Sequence, residues 1–240
     1  MRQLVRVSTP ALREMVLATV EAYQLKRDED DEGVEIYGHI WGHHRKVGDL
    51  VVYHVESVSI SSTAVGDSGE VDPNPRALEL KQAVMERWYP QLMLLGDFHS
   101  HPYANLEEAM RPDDEDPKAR GFEFSDDDFE TFLIDDVIWR AADDRPLMLV
   151  MTICKLSHVH ESYETNVRGN VQAFTIGEYR FWLNGSAGYL TRTRSGDVRK
   201  ATPDRRSTLT MDLFPAAYNR ARDRLLKENF ADDEDFADDE

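Results

Sequence analysis

Two histidines one residue apart, His99 and His101, follow the apolar run Leu92-Met93-Leu94-Leu95 in the stretch Gly96-Asp97-Phe98-His99-Ser100-His101-Pro102. A short, bounded apolar run of this kind predicts a buried strand. Alternate residues of a strand share a face, so both imidazoles point the same way, about 6.6–6.8 Å apart along the backbone. Two such rings can converge on one divalent metal. A zinc site needs at least one further ligand, and a catalytic one leaves a position for water. Acids lie on both sides in the sequence: Asp126, Asp127 and Asp128 in Phe124-Ser125-Asp126-Asp127-Asp128, and Glu35 in Glu35-Ile36-Tyr37-Gly38-His39-Ile40-Trp41-Gly42. Singly, each has a plainer reading. His-x-His occurs in ordinary strands, Glu35 follows an acidic loop, and Ser125 before three acids is a favoured helix start.

Their order is more specific than the parts. Glu-x-x-Gly-x-x-x-Gly, then Gly-x-x-His-x-His-Pro, then Ser-x-x-Asp resembles the signature of the JAMM (MPN) metalloprotease family, over a core of about residues 1–155. The resemblance implies an α/β fold, a single domain with a curved mixed sheet flanked by helices in cytidine-deaminase-like layering. It implies Zn2+ held by His99, His101 and Asp128, the family spacing choosing Asp128 over Asp127. Glu35 would act as general acid/base and Ser125 would help stabilise the oxyanion. The implied reaction is hydrolysis of an amide, typically the isopeptide bond between a ubiquitin-like or sulfur-carrier-like C-terminus and a lysine. All five positions are present, unlike in inactive relatives that lose ligands. Between His101 and Asp128 stand 26 residues, more than the family spacing. Residues 103–123 therefore read as a surface insertion, a substrate-selecting flap whose deletion leaves the metal in place.

The elements that must position these groups follow from periodicity and punctuation. Residues 3–7 predict a strand. Thr9-Pro10 opens a helix with Thr9 as cap, Leu12, Met15, Val16, Thr19, Val20 and Tyr23 facing the core. Residues 27–33 are an acidic loop leading into a strand over 34–41, and 49–62 predict one long strand or a hairpin. Asn74-Pro75 caps a helix to about Trp88, and Asp128 opens another to about Arg140. Residues 146–155 and 171–183 read as buried strands, 103–121 as a short helical turn followed by a mobile loop, and 184–208 as polar loops and further strands. The domain thus covers 1–208, followed by a helix over 209–230 and a disordered acidic tail at 231–240.

Composition bounds the rest. A net charge of −18 argues against nucleic acid as a partner, because neutralising phosphates takes clustered Lys and Arg. Seven of the acids lie in 231–240, a docking segment for a basic partner if it is more than a solvated tail. No apolar run reaches the roughly 18–20 residues of a membrane span, and the charged N-terminal run is no signal peptide. The single cysteine, Cys154, forbids an internal disulfide, fits a cytoplasmic location, and reads as a core residue rather than a nucleophile. A second His-x-His, His158-Val159-His160, with Glu161 and Glu164, lacks the following Pro and the Ser-x-x-Asp and reads as a strand end or loop. His39 reads as packed, His43 and His44 as exposed. Two other functions compete: a non-catalytic binding module in an assembly, and a metal hydrolase of another amide, with a cell-wall peptide disfavoured by the missing signal peptide.

Overall fold

The computed structural model describes residues 1–25, 33–62, 65–67, 70–72, 75–111, 120–158, 167–193 and 196–212. Outside them lie most of the predicted acidic loop, Asn74, residues 112–119 of the insertion, His160 with Glu161 and Glu164, and everything expected beyond Asp212, including the acidic tail. In chain order the elements are β1 (Arg2–Val7), α1 (Thr9–Gln24), β2 (Tyr37–Val47), β3 (Leu50–Ile60), β4 (Val65–Asp67), β5 (Glu70–Asp72), α2 (Pro75–Trp88), β6 (Met93–Asn105), α3 (Leu106–Ala109), α4 (Asp126–Ile134), α5 (Asp136–Ala141), β7 (Leu147–Lys155), β8 (Val171–Ile176), β9 (Tyr179–Thr193), β10 (Gly196–Ala201) and β11 (Ser207–Met211). Among the described residues no helix is long and apolar enough to cross a membrane.

The expected mixed α/β class is observed. Nine strands form one sheet in the order β10-β9-β7-β6-β2-β3-β1-β11, with β8 joined to β9. β1 runs parallel to both β3 and β11, and β6 runs parallel to β7; the other pairings are antiparallel. The sheet curls until it nearly closes. On β11, Leu209 N–H donates to the Gly169 carbonyl at 2.8 Å, and the Gln172 amide of β8 donates to the Leu209 carbonyl at 2.8 Å.

Each face has its own core. On one, Leu12 and Met15 of α1 meet Val5, Val55, Leu95, Phe98 and Leu149. On the other, α2 and α5 close over Trp41 and Leu94 through Leu78 and Ile138, while Phe132 and Trp139 of α4 and α5 pack on Met148 and Val150 of β7. β7 is buried along all but its last residue, as befits a near-continuous apolar strand inside a sheet. At Gly96 β6 comes so close to β7 that a Cβ would run into the Leu147 carbonyl.

Several local expectations change. The cap of α1 is Ser8, whose hydroxyl accepts from Ala11 N–H at 3.3 Å, leaving Thr9 inside the first turn. The helix expected to start at Asp128 begins two residues earlier and breaks at Asp135, whose carboxylate accepts from Val137 and Ile138 N–H at 2.9 Å and starts α5. Residues 171–183 are a hairpin rather than one strand, turned at Gly177. Much of 184–208 is strand. Residues 209–211, read as the start of a helix, complete β11, where Leu209 and Met211 are buried beside β1.

Candidate metal centre

His99 and His101 sit on β6, which is inside the sheet with β2 on one side and β7 on the other. His99 is in register with Tyr37 and Val150, and His101 with Thr152. Pairing on both edges at His99, and on the β7 edge at His101, limits the backbone freedom that would let the rings wander. Both point to the face covered by α4 and α5, as the alternation along the strand requires.

The carboxylate comes from the start of α4. Ser125 is its N-cap, and the reciprocal bonds of a capping box fix Asp128. Asp128 N–H donates to Ser125 Oγ at 3.1 Å, and Ser125 N–H donates to Asp128 Oδ2 at 2.8 Å. So held, Asp128 faces both imidazoles: His99 Nε2 is 3.1 Å from Oδ1, and His101 Nε2 is 3.5 Å from Oδ2. The three side chains are 13%, 12% and 17% exposed, and their ligand atoms lie within 4.8 Å of one another. Asp126 and Asp127 are exposed and outside the group. The helix beneath is anchored by the Trp139 indole donating to the Phe132 carbonyl at 2.7 Å, and by Arg199 lying 4.9 Å over that indole while paired to Asp136.

This group could hold a metal ion. His99 Nε2 is buried without a hydrogen-bond partner although it faces a carboxylate oxygen, and leaving such an atom unmatched is costly. A cation shared by the three donors gives it a partner. Two imidazoles and a carboxylate suit zinc and other late first-row metals better than magnesium or calcium.

The charges respond to the enclosure. For Asp128, burial works against ionisation, but the imidazoles of His101 and His99 beside it outweigh that and hold the carboxyl well below its usual range. For His101, burial opposes protonation and is outweighed by Asp128, by Glu35 and by the Gly121 carbonyl, so its pKa rises. Glu35 lies half-buried just before β2, on a segment tied down where Ser100 N–H donates to the Ile36 carbonyl and Ile36 N–H to Ser100 Oγ, both at 3.1 Å. Burial raises its pKa, opposed by His101 and His99 and aided by Asp128. The sequence-predicted Glu35, His99, His101, Ser125 and Asp128 are thus brought to one place.

Asp97 was not singled out by its spacing. It shares the face of His99 and His101 and is 8% exposed, and burial, then Asp135 and Asp128, push its carboxyl up to about 8. Its position two residues before His99 was the available signal. His39 is packed as expected, 2% exposed, with its pKa lowered to about 4 by burial and then by Lys81. His44, expected outside, is half-buried against Tyr53. Of the second His-x-His only His158 is described, and it is exposed. Cys154 is buried and free, its thiol pushed up to about 12 by burial, as a core residue should be.

The ends of the insertion are built into the site's surroundings. Phe122 N–H donates to the Ala109 carbonyl at 3.2 Å and Gly121 N–H to the Arg111 carbonyl at 3.3 Å, while Phe122 stacks on Trp182 at 5.4 Å and Glu123 pairs with Arg168. Gly121 faces His101, and Phe124 packs its ring 6.5 Å from that of His99. A deletion of all of 103–123 would thus also take away the Gly121 carbonyl that faces His101. No family model matches the chain, and no curated protein matches it in sequence.

Proposed function

We propose that this chain is a zinc-dependent hydrolase of the JAMM type, cleaving the peptide or isopeptide bond that follows the C-terminus of a ubiquitin-like or sulfur-carrier-like protein. The observation that carries the reading is the convergence of His99, His101 and Asp128 with Glu35 alongside, in an order along the chain that resembles the family signature. The α/β sheet with helices on both faces is compatible with the layering that this resemblance implies. The lone, buried cysteine supports a cytoplasmic setting.

When bound, zinc supplies Lewis acidity that makes water a nucleophile near neutral pH. His99, His101 and Asp128 would hold it. Glu35, whose raised pKa brings it nearer neutrality, accepts the proton from the attacking water and returns it to the departing amine. The C–N bond breaks, leaving a carboxylate and an amine. Ser125 Oγ accepts from the Asp128 amide, which leaves its own proton available to the oxyanion.

The test compares parent, Glu35→Gln and Asp128→Ala for zinc content and for cleavage of ubiquitin-like fusions. Glu35→Gln keeps its zinc and loses roughly 10²–10⁴-fold in rate, the usual contribution of a general base. Asp128→Ala loses both. Parental cleavage by Glu35→Gln overturns the mechanism, and zinc without turnover in the parent leaves a binding module or a different amide as substrate.

A further inference from the structure

A second set of two imidazoles and one carboxylate stands on the same sheet, away from the buried centre. We propose that His43, His54 and Glu56 form a surface site for a late first-row divalent cation such as Zn2+ or Cu2+. Among the described residues it is one of two groups whose potential ligand atoms gather within 4.8 Å.

The hairpin of β2 and β3 builds it. Its two-residue turn at Gly48-Asp49, with Gly48 at φ +59, pairs Val47 with Leu50 and carries the register back to His43 opposite His54. Directly opposed residues share a face, and here the rings stack 4.7 Å apart with planes at 12°. Next comes a bulge. Gly42 pairs with Val55 but Trp41 pairs with Ser57, so Glu56 is the extra residue of β3, with no cross-strand partner. An extra residue is free to be re-aimed, and Glu56 brings its carboxylate to the histidine pair. The opposite face of β3 is the core, with Val51, Tyr53 and Val55 fully buried, so the three ligands are presented outward.

Arg6, the register partner of His54 on β1, has its guanidinium 3.5 Å from the Asp212 carboxylate, which offsets the charge a cation would meet. Two nitrogens and one oxygen select zinc, copper or nickel over calcium or magnesium, and three protein ligands leave a coordination position to water. Tyr37, beside His99, lies six residues before His43, about 20 Å along an extended strand. The two sites therefore bind independently and are not a dinuclear pair, whose ions lie about 3.5–4 Å apart.

The experiment titrates the metal-free full chain with Zn2+ by calorimetry and with Cu2+ by electron paramagnetic resonance. The parent takes up two equivalents. His54→Ala and Glu56→Gln weaken one of them by more than the roughly 10–100-fold cost of losing an outer-shell partner, without changing the other. His43→Ala removes the two-nitrogen copper signal that persists in a His99→Ala/His101→Ala variant. A single equivalent that Asp128→Ala removes, or two equivalents both indifferent to His54→Ala and Glu56→Gln, overturns the site. Because His43 and Glu56 are exposed and His54 half-exposed, these variants fold as the parent does.

Discussion

Near one end of β2 the sheet carries His99, His101 and Asp128; near the other it carries His43, His54 and Glu56. The donor types are the same and the construction is opposite. In the first group both histidines come from one strand paired on both sides, the carboxylate is clamped by a capping box, and all three side chains are nearly enclosed. In the second the histidines come from two strands, the carboxylate from a bulge, and water reaches the group. A ligand set held in place before the ion arrives loses less freedom on binding, and its charges act in a poorer dielectric. The buried group should therefore bind tightly and be fit for chemistry, and the exposed one should bind more weakly and exchange.

The largest effect separating the two lies in their glycines. Gly96→Ala drives a methyl into the Leu147 carbonyl and pries β6 from β7, a loss on the order of 3–4 kcal/mol in urea unfolding. Gly48→Ala meets no atoms and costs about 1–2 kcal/mol for its left-handed backbone. Equal losses would mean that the β6–β7 approach is softer than described. Zinc itself comes next. A site filled at a hundredfold excess over its dissociation constant stabilises the fold by about 2.7 kcal/mol. At one fixed zinc concentration the melting temperature of His43→Ala/His54→Ala should rise further than that of Asp128→Ala, and the reverse order would invert the comparison.

Ser125→Ala follows, with about 1 kcal/mol lost from the helix cap and roughly tenfold weaker zinc binding as Asp128 loses its clamp. Calorimetry at the buried site reads the second effect, and unchanged affinity would show that the cap does not position the ligand. The smallest effect is in pH, and the two groups differ in sign in the metal-free protein. The pKa of His101 is raised on folding, so its contribution is complete below the unfolded value of about 6.5 and drains away as pH rises. That of His54 is lowered, so its contribution is complete above that value and drains as pH falls. His101→Gln should cost more stability at pH 5.5 than at pH 8, and His54→Gln the reverse; matching trends would refute the assignment.

The buried group was legible because its signals are local. A two-residue period aims His99 and His101 together, and Ser-x-x-Asp is at once a cap and the means by which a carboxylate is turned toward them. The exposed group depends on register, which no single stretch carries. Its one signal was the Gly48-Asp49 turn, about which His43 and His54 are placed symmetrically, and the bulge that recruits Glu56 has no sequence mark. Ser8 displaced Thr9 as cap because either hydroxyl can serve, and the choice depends on where β1 releases the chain. Asp135 splits the helix after Asp128 by capping its own second half. The strands within 184–208 were obscured because Gly, Ser, Thr and Arg resemble a loop until β9, the pairing partner of β7, extends far enough to take up β10.

β1 has its own lesson, one of timing. It pairs in parallel with β3 and with β11, and so joins residues 2–7 to residues 207–211. Contacts so distant along the chain form late and slow the search for the native state. During synthesis β1 can dock on β3 early, but its other edge stays open until β11 emerges from the ribosome. Throughout that interval the nascent protein presents an unsatisfied strand edge of the kind that recruits neighbouring chains. A chain halted before residue 207 should keep that open edge and aggregate.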